Sequence, residues 1–378
     1  MRLEHNTSRR IEAMEKDNGE LAATHCSHRL PLSAITLSHP SKELSTNILR
    51  LRTANPLVRS LSSLSYHLYT LWLFTYSSHK DTVYPSVAFA ASTALSSPFN
   101  FSVHPSPITI LTSLFTSLLW AWLALLFFSL HNQHHPSSVL EDAINKPWRP
   151  LPSGRITTSQ TRVLLLTCYP VWGGISYHFG CTRQCVGLTL VTLYYCELGG
   201  CQQGGFMRNL LNALGYSFFF AGALQVFISM GNNGVVDLEM GVDVYEGKPL
   251  VWLIAVCALI FTTVHAQDFR DEEGDRARGR KTVQTTLGDA ASRWLVVVGA
   301  GLWSVVVSVM LELEWVVVSV LLALAACLGW FMLPCLLCER TVEKDVRAYK
   351  AWIAWAVAVI LAPLMQTVVD HVWVSQGG

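Results

Sequence analysis

The feature that most limits the fold of this chain is a series of nine hydrophobic stretches, each close to the length of a transmembrane helix. A helix needs about 20 mostly apolar residues to cross the hydrocarbon core of a bilayer. We therefore predict an all-α fold, a polytopic membrane bundle of about nine transmembrane helices. The predicted spans are residues 57–77, 107–130, 160–180, 184–200, 207–230, 249–267, 292–311, 314–338 and 350–369.

The remaining segments are more polar and set the domain boundaries. Residues 1–56 contain no apolar core of the kind that a signal peptide requires, so we expect a mobile cytosolic tail there. The spans form one domain, residues 57–370. A weaker apolar stretch, 83–103, contains Pro85, Pro98 and many Ser, and we expect a loop or a partly embedded segment.

The composition argues against an ordinary soluble domain and against a nucleic-acid-binding protein. Charged residues make up 14% of the chain, whereas a soluble domain carries roughly 25%. Lys and Arg number 27 against 26 Asp and Glu, which gives a net charge of +1. A chain this close to neutral has no electrostatic basis for binding nucleic acid. The expected partner is the lipid bilayer, and the sequence indicates no particular protein partner.

The distribution of basic residues predicts the orientation of the bundle. With nine spans, one face receives fourteen Lys and Arg, and the opposite face receives only Lys80, Arg183 and Lys248. Cytosolic loops carry the excess of basic residues. We therefore expect the N-terminus and the two most charged loops in the cytosol, in a multi-pass protein of the endoplasmic reticulum.

The first of these loops, residues 132–157, follows the second predicted span. Glu141 and Asp142 are adjacent, and Asn145 lies one helical turn after Asp142 on the same face. Two prolines then end the helix, in a stretch that also contains Lys146, Arg149 and Arg155. By itself this loop is equally typical of a solvated cytosolic segment.

The second loop, residues 267–282, follows the sixth predicted span. Asp268, Asp271 and Asp275 are spaced i, i+3, i+7, so a continuing helix would place them on one face. Three stacked carboxylates repel one another unless a cation lies among them. Charge runs usually form solvated faces, but this alignment at the end of a span favours metal binding. Arg276 and Lys281 follow closely.

Together the two loops predict a site for a diphosphate with a hydrocarbon tail, such as an isoprenyl diphosphate. Carboxylate oxygens suit Mg²⁺, and Arg and Lys beside the metal would bind the diphosphate. The predicted metal ligands are Glu141, Asp142, Asp268, Asp271 and Asp275, of which the four aspartates form the predicted catalytic set. The predicted diphosphate-binding residues are Asn145, Lys146, Arg149, Arg155, Arg276 and Lys281.

Polar and aromatic residues within the spans are candidates for lining the same site. Glu197, Asn212 and Gln225 are expected to face the bundle interior, with Glu197 near the cytosolic end of its span. Aromatic rings can stabilise a carbocation, although most rings in a membrane bundle contact lipid or pack in the core. The candidate rings are Tyr194, Tyr195, Phe218, Phe219, Phe220 and Trp252.

The pairing of EDxxNKPWRPxxxGR from Glu141 with DxxDxxxD from Asp268 resembles the UbiA superfamily of membrane prenyltransferases. It is most similar to a fungal branch that includes membrane-bound sesquiterpene cyclases. One difference concerns the first motif of the family, usually NDxxDxxxD. Without gaps, its four named positions fall on His134, His135, Ser138 and Asp142, so the metal ligands within 132–142 stay open.

The resemblance implies a Mg²⁺-dependent sesquiterpene cyclase that ionises farnesyl diphosphate. The expected product is a hydrocarbon such as β-trans-bergamotene, in fungal terpenoid secondary metabolism of the fumagillin type. The motifs fit equally a prenyltransferase that moves the prenyl group to an aromatic acceptor, and this alternative stays open. A non-catalytic scaffold or a transporter would have no reason to keep three aligned carboxylates beside so many cations.

Overall fold

The computed structural model describes residues 56–99, 101, 106–231, 244–334 and 340–377. Residues Ser65–Gly378 form one compact unit, and residues 1–55 of the predicted tail lie outside the described part. Throughout the described residues the regular structure is helical. The α-helices in chain order are α1 Pro56–Thr75, α2 Tyr84–Leu95, α3 Pro107–Gln133, α4 Pro136–Asn145, α5 Thr158–His178, α6 Thr182–Thr192, α7 Gly205–Gly231, α8 Gly247–Thr263, α9 Glu272–Ala277, α10 Val283–Leu287, α11 Asp289–Met310, α12 Trp315–Met332 and α13 Val342–Gly377.

Six helical segments in the described part of the chain are long and apolar enough to cross a membrane. The prediction of an all-α membrane bundle is therefore confirmed, whereas the count of nine spans is not. Helix α5, of 21 residues, and α6, of 11 residues, occupy the predicted spans 160–180 and 184–200, and neither is among the six. The six segments are Pro107–Gln133, Gly205–Gly231, Gly247–Ala277, Asp289–Met310, Trp315–Met332 and Val342–Ser375.

The expectation for residues 83–103 is a loop or a partly embedded segment, and the loop alternative is wrong for residues 84–95, which form the largely buried helix α2. Pro85 does not interrupt α2 because it lies in the first turn, where a missing N–H costs nothing. Ser86 is also buried, and its hydroxyl donates a 2.7 Å hydrogen bond to the carbonyl of Thr82. Pro85 and the serines therefore do not indicate a loop here, because the helix accommodates the proline in its first turn and accepts the hydrogen bond of Ser86.

Helix α2, rather than α1, runs along the length of the bundle. At one end, the Tyr349 hydroxyl of α13 donates a hydrogen bond to Asp81. At the other end, the Ser97 amide donates to the Thr367 hydroxyl over 3.1 Å. The residues between Asp81 and Ser97 thus follow α13 from one end towards the other.

The second half of α1 stays at the Asp81 end of the bundle. The Tyr66 hydroxyl donates a 2.9 Å hydrogen bond to the backbone carbonyl of Arg155, in the loop between α4 and α5. The Arg155 guanidinium packs over the rings of Tyr66 and Tyr69, at 4.3 and 5.0 Å from the ring centroids. The helix predicted over 57–77 is present. Its residues 66–75 contact this loop through Tyr66 and contact α3 through Phe74 and Thr75.

Helix α7 lies at the centre of the packing and contacts α2, α3, α6 and α8. Its close approach to α3 depends on Gly222, where a Cβ atom would lie 1.9 Å from the Trp120 ring. Small residues permit such contacts between helices in membranes. Because other helices surround α7 on several sides, even side chains near its start, such as Arg208, Asn209 and Leu211, are buried in the bundle.

Candidate active site

The two acidic loops of the sequence meet at one end of the bundle. Asn145, the last residue of α4, joins them through its side-chain amide. Its Nδ2 donates to the backbone carbonyl of Asp271 over 3.0 Å, and its Oδ1 accepts from the amide of Gly274 over 3.2 Å. Helices α4 and α9 are therefore held against each other by both polar atoms of one side chain.

The chain bends between the three aspartates of the second loop instead of continuing α8. Helix α8 ends at Thr263, a 3-10 turn covers Val264–Gln267, and α9 begins at Glu272. The continuing helix expected over the three aspartates is therefore interrupted. Each carboxylate contacts a different basic side chain: Asp268 pairs with Arg208, Asp271 with Lys146 and Asp275 with Arg280.

Two ion pairs join predicted metal ligands to predicted diphosphate-binding residues. The ammonium of Lys146 lies 3.1 Å from Asp271 Oδ2. Arg149 donates from Nη1 to both oxygens of Asp142, over 2.7 and 2.9 Å, and from Nη2 to the hydroxyl of Ser77. Burial raises the pKa of Asp142 in spite of the neighbouring Arg149.

A buried arginine links the carboxylates of the two loops. Arg280 Nη1 donates to Glu141 Oε1 over 3.0 Å and to Asp275 Oδ1 over 2.7 Å. Arg278 adds a 2.8 Å bond to the other oxygen of Glu141. Burial by itself would raise the pKa of Glu141, but Arg280 and Arg278 hold it below its ordinary value. The two arginines thus favour the ionised form of Glu141.

The remaining aspartate pairs with a residue from the start of α7. Asp268 accepts a hydrogen bond from Arg208 through Oδ1, and both side chains are buried. Its Oδ2, like the Oδ2 of Asp275, is buried without a hydrogen-bond partner among the described residues. Such an atom costs free energy unless something else satisfies it. Two carboxylate oxygens are thus buried without a hydrogen bond, in residues that pair with Arg208 and Arg280 of the cavity lining.

Three of the predicted diphosphate-binding residues do not contact the carboxylates predicted to bind metal. The Arg276 side chain is 77% exposed and pairs with Glu272, while Lys281 is exposed. Arg155 packs on the tyrosines of α1, and its guanidinium also donates to the hydroxyl of Thr70. Arg276 therefore faces solvent although its neighbour Asp275 is buried.

A cavity opens at this end of the bundle, and its lining changes from charged to apolar. Arg208, Arg270 and Arg280 line it, although the sequence analysis did not predict them as site residues. Arg208 could have been predicted, because it lies within the predicted span 207–230 and an ionisable residue within a span usually faces the interior of the bundle. The charged lining consists of Asp81, Glu141, Lys146, Arg149, Arg208, Arg270, Asp271 and Arg280.

The apolar part of the cavity follows α7 into the bundle. The cavity-facing residues of this helix run from Arg208 to Phe219, which corresponds to about 16 Å at 1.5 Å per residue. Leu125, Leu188 and Leu211 line the same space. A molecule with an anionic head and an extended apolar chain would match this cavity, with the head at the charged lining and the chain at the apolar lining.

The candidate aromatic and polar residues separate into two groups. Tyr195, Phe219 and Asn212 line the cavity. Phe220 and Trp252 instead stack with Phe89 in the core. Only the tertiary packing distinguishes these rings, because all of them lie on apolar helices.

The sequence profile of the UbiA prenyltransferase family matches residues 85–356 of this chain. The chain is 30% identical over 239 residues to the fumagillin beta-trans-bergamotene synthase of Aspergillus fumigatus, covering 63% of this chain and 73% of that protein. It is 24% identical over 238 residues to the somaliensene A/B synthase of Streptomyces somaliensis, covering 62% and 71% of the two chains.

Among solved structures, the chain is similar to a UbiA homolog from Archaeoglobus fulgidus bound to GPP and Mg²⁺. The TM-score is 0.52 at 13% sequence identity, and the match covers 77% of this chain and 99% of that one. At this identity the similarity establishes a shared fold.

Proposed function

This chain belongs to the UbiA prenyltransferase family, and we propose that it is a membrane terpene cyclase that ionises farnesyl diphosphate with the help of Mg²⁺. The observation that carries this proposal is the cavity with a charged mouth and an apolar interior. Such a cavity suits a substrate with a diphosphate head and a prenyl tail. The similarity to two terpene synthases favours cyclisation as the reaction.

The donor set of the charged mouth fits a hard divalent cation. Asp271 borders the cavity, and Asp268 and Asp275 each have one buried oxygen without a hydrogen-bond partner in the described structure. Mg²⁺ prefers oxygen ligands and is usually bound by one or two carboxylates together with substrate phosphates. Glu141 and Asp142 remain the candidate ligands of the first loop. The chemistry that Mg²⁺ would supply here is charge neutralisation of the departing diphosphate.

The basic side chains of the cavity would hold the diphosphate oxygens. Arginine offers a planar fork that matches phosphate in a bidentate manner, and Arg208, Arg270 and Arg280 all border the cavity. Lys146 and Arg149 from the first loop complete this set. They favour departure of the diphosphate, in which the allylic C–O bond breaks and its electron pair leaves with the oxygen.

The apolar interior would then protect the allylic cation from water. Exclusion of water prevents simple hydrolysis of a reactive intermediate. The rings of Tyr195 and Phe219 line this region, and an aromatic face can stabilise a cation by roughly 0.5–2 kcal/mol. A double bond of the substrate traps the cation, and loss of a proton gives the hydrocarbon.

The experiment that tests this proposal supplies membranes containing the chain with farnesyl diphosphate and Mg²⁺, without an acceptor. We expect a volatile sesquiterpene in the headspace, measured by gas chromatography and mass spectrometry, and its loss when EDTA removes the metal. Membranes from cells with an empty vector are the control. Consumption of substrate only after aromatic acceptors are added would support the prenyltransferase alternative instead.

A second prediction concerns the contact between the two loops. A Cβ atom on Gly274 would lie 2.2 Å from Asn145 Nδ2, so Gly274→Ala must displace the Asn145 amide, and with it the two hydrogen bonds that join α4 to α9. Displacing catalytic groups by about 1 Å can lower turnover by about 10²-fold, and we expect a loss of that size in the headspace assay. Gly174→Ala is the matched control, because a Cβ there meets no atom within 4 Å. Equal activity of the two variants would contradict the coupling of the loops.

A further inference from the structure

Three histidines and a glutamate form a cluster that the roles described so far do not use. His131 lies in the last turn of α3, and His134 and His135 follow directly. Glu197 ends a short π-helical segment, Leu193–Glu197, that continues α6. All three imidazoles lie near this one carboxylate.

The distances define a compact group of nitrogen and oxygen atoms. His131 Nδ1 lies 2.7 Å from Glu197 Oε1, and His135 Nε2 lies 3.1 Å from Oε2. His134 Nε2 lies 3.9 Å from Oε1. The ligand atoms of His134, His135 and Glu197 are all within 4.8 Å of one another, and no other group of three such residues was found in the described part of the chain.

Hydrogen bonds outside the cluster fix the tautomer of His134. Its Nδ1 lies 3.2 Å from the carbonyl oxygen of Leu130 and 2.9 Å from that of His131. A carbonyl oxygen only accepts, so Nδ1 carries the proton and donates. The neutral ring therefore presents the lone pair of Nε2 towards Glu197 and His135. Metal-binding histidines typically donate their other N–H to a carbonyl or carboxylate in this way.

The other two histidines have distinct positions around the carboxylate. His131 Nδ1 donates to Glu197 Oε1, while its Nε2 lies 3.0 Å from the hydroxyl of Tyr169. His135 Nε2 is buried and lacks a hydrogen-bond partner of suitable geometry in the described structure, although Glu197 Oε2 is only 3.1 Å away. Glu197 Oε1 is thus hydrogen-bonded to His131, whereas Glu197 Oε2 faces His135 Nε2 without a hydrogen bond.

We propose that His134 Nε2, His135 Nε2 and Glu197 Oε2 bind one transition-metal ion, and that Zn²⁺ fits this site best. Imidazole nitrogen combined with a carboxylate oxygen is a ligand set typical of Zn²⁺, whereas Mg²⁺ takes oxygen ligands. Three protein ligands leave one tetrahedral position for water. His131 positions Glu197 and is not itself a ligand.

The site lies near the surface and would connect two separate segments of the chain. The side chains of His135 and Glu197 are 28% and 29% exposed, although the ligand atom His135 Nε2 is itself buried. The bound ion would join the residues after α3 to the end of the π segment after α6. Since it binds the folded chain, Zn²⁺ should also raise the apparent melting temperature.

The test is a metal titration of the full chain, purified in detergent through a tag that contains no histidine and then treated with a chelator. We expect one equivalent of bound Zn²⁺ per chain by elemental analysis, and a visible ligand-field spectrum with Co²⁺. His135→Gln and Glu197→Gln should each weaken Zn²⁺ binding by about tenfold or more. Both positions are partly exposed, so these variants are expected to fold.

The control variant is His178→Gln, at the exposed end of α5, which should bind Zn²⁺ as the unaltered chain does. Failure of the unaltered chain to bind an equivalent of Zn²⁺ would overturn the proposal. Equal weakening by His178→Gln and the two cluster variants would overturn it as well. Because the readout is bound metal, the result is independent of the terpene cyclase assay.

Discussion

Replacing Asp271 by asparagine is expected to lower turnover of farnesyl diphosphate by about 10²–10³-fold, the range found when one charge-stabilising group is removed from an active site. Asp271 borders the cavity, and its carboxylate lies 3.1 Å from the ammonium of Lys146. The substitution keeps the size of the side chain but removes the negative charge that Mg²⁺ would require. Asn145 contacts the backbone carbonyl of Asp271, so this contact between the loops should persist. Headspace hydrocarbon per unit of folded protein is the measurement.

The matched control is Glu273→Gln, which removes an exposed carboxylate two residues further along the same segment. We expect this variant to keep the activity of the unaltered chain. Full activity of Asp271→Asn would exclude Asp271 from metal binding. Circular dichroism and detergent-solubilised yield show whether each variant is folded, which separates loss of catalysis from loss of protein.

The largest effect on stability is expected for Arg280→Met. Arg280 is buried and contacts Glu141 of the first loop and Asp275 of the second. Glu141 would keep its contact with Arg278, whereas Asp275 would lose its ion pair. Removing one partner of a buried ion pair costs about 3–5 kcal/mol, because the charge that remains is buried without its partner. Unfolding of the purified variant in detergent, followed by circular dichroism, should therefore begin at a clearly lower temperature.

Arg276→Met is the matched control, since the same residue type is exposed and pairs with Glu272 at the surface. Exposed ion pairs contribute about 0–1 kcal/mol, so this variant should unfold close to the unaltered chain. If Arg280→Met were as stable as Arg276→Met, the buried link between the loops would not support the fold. Arg280→Lys should recover only part of the loss, because an ammonium group lacks the planar fork that contacts both carboxylates.

The sequence predicted the membrane bundle and the pair of loops because both rest on local signals. Hydrophobic length is a property of contiguous residues, and carboxylates beside prolines and basic residues form a recognisable motif. The same reasoning failed at α2, where Pro85 and the buried serines are satisfied by the helix itself. It also failed at the three aspartates, because a bend after Thr263 replaced the continuing helix.

The sequence by itself determined that this is a helical membrane protein with two acidic loops of the UbiA type. The tertiary structure decided which side chains face the cavity. Arg208 is distant in sequence from Asp268, yet the two are in contact, whereas Arg276, next to Asp275, lies at the surface. The physical reason is that hydrophobicity and helix length are read along the chain. The pairing of buried charges depends instead on where the packed helices bring distant residues together, and this is not encoded in any single segment.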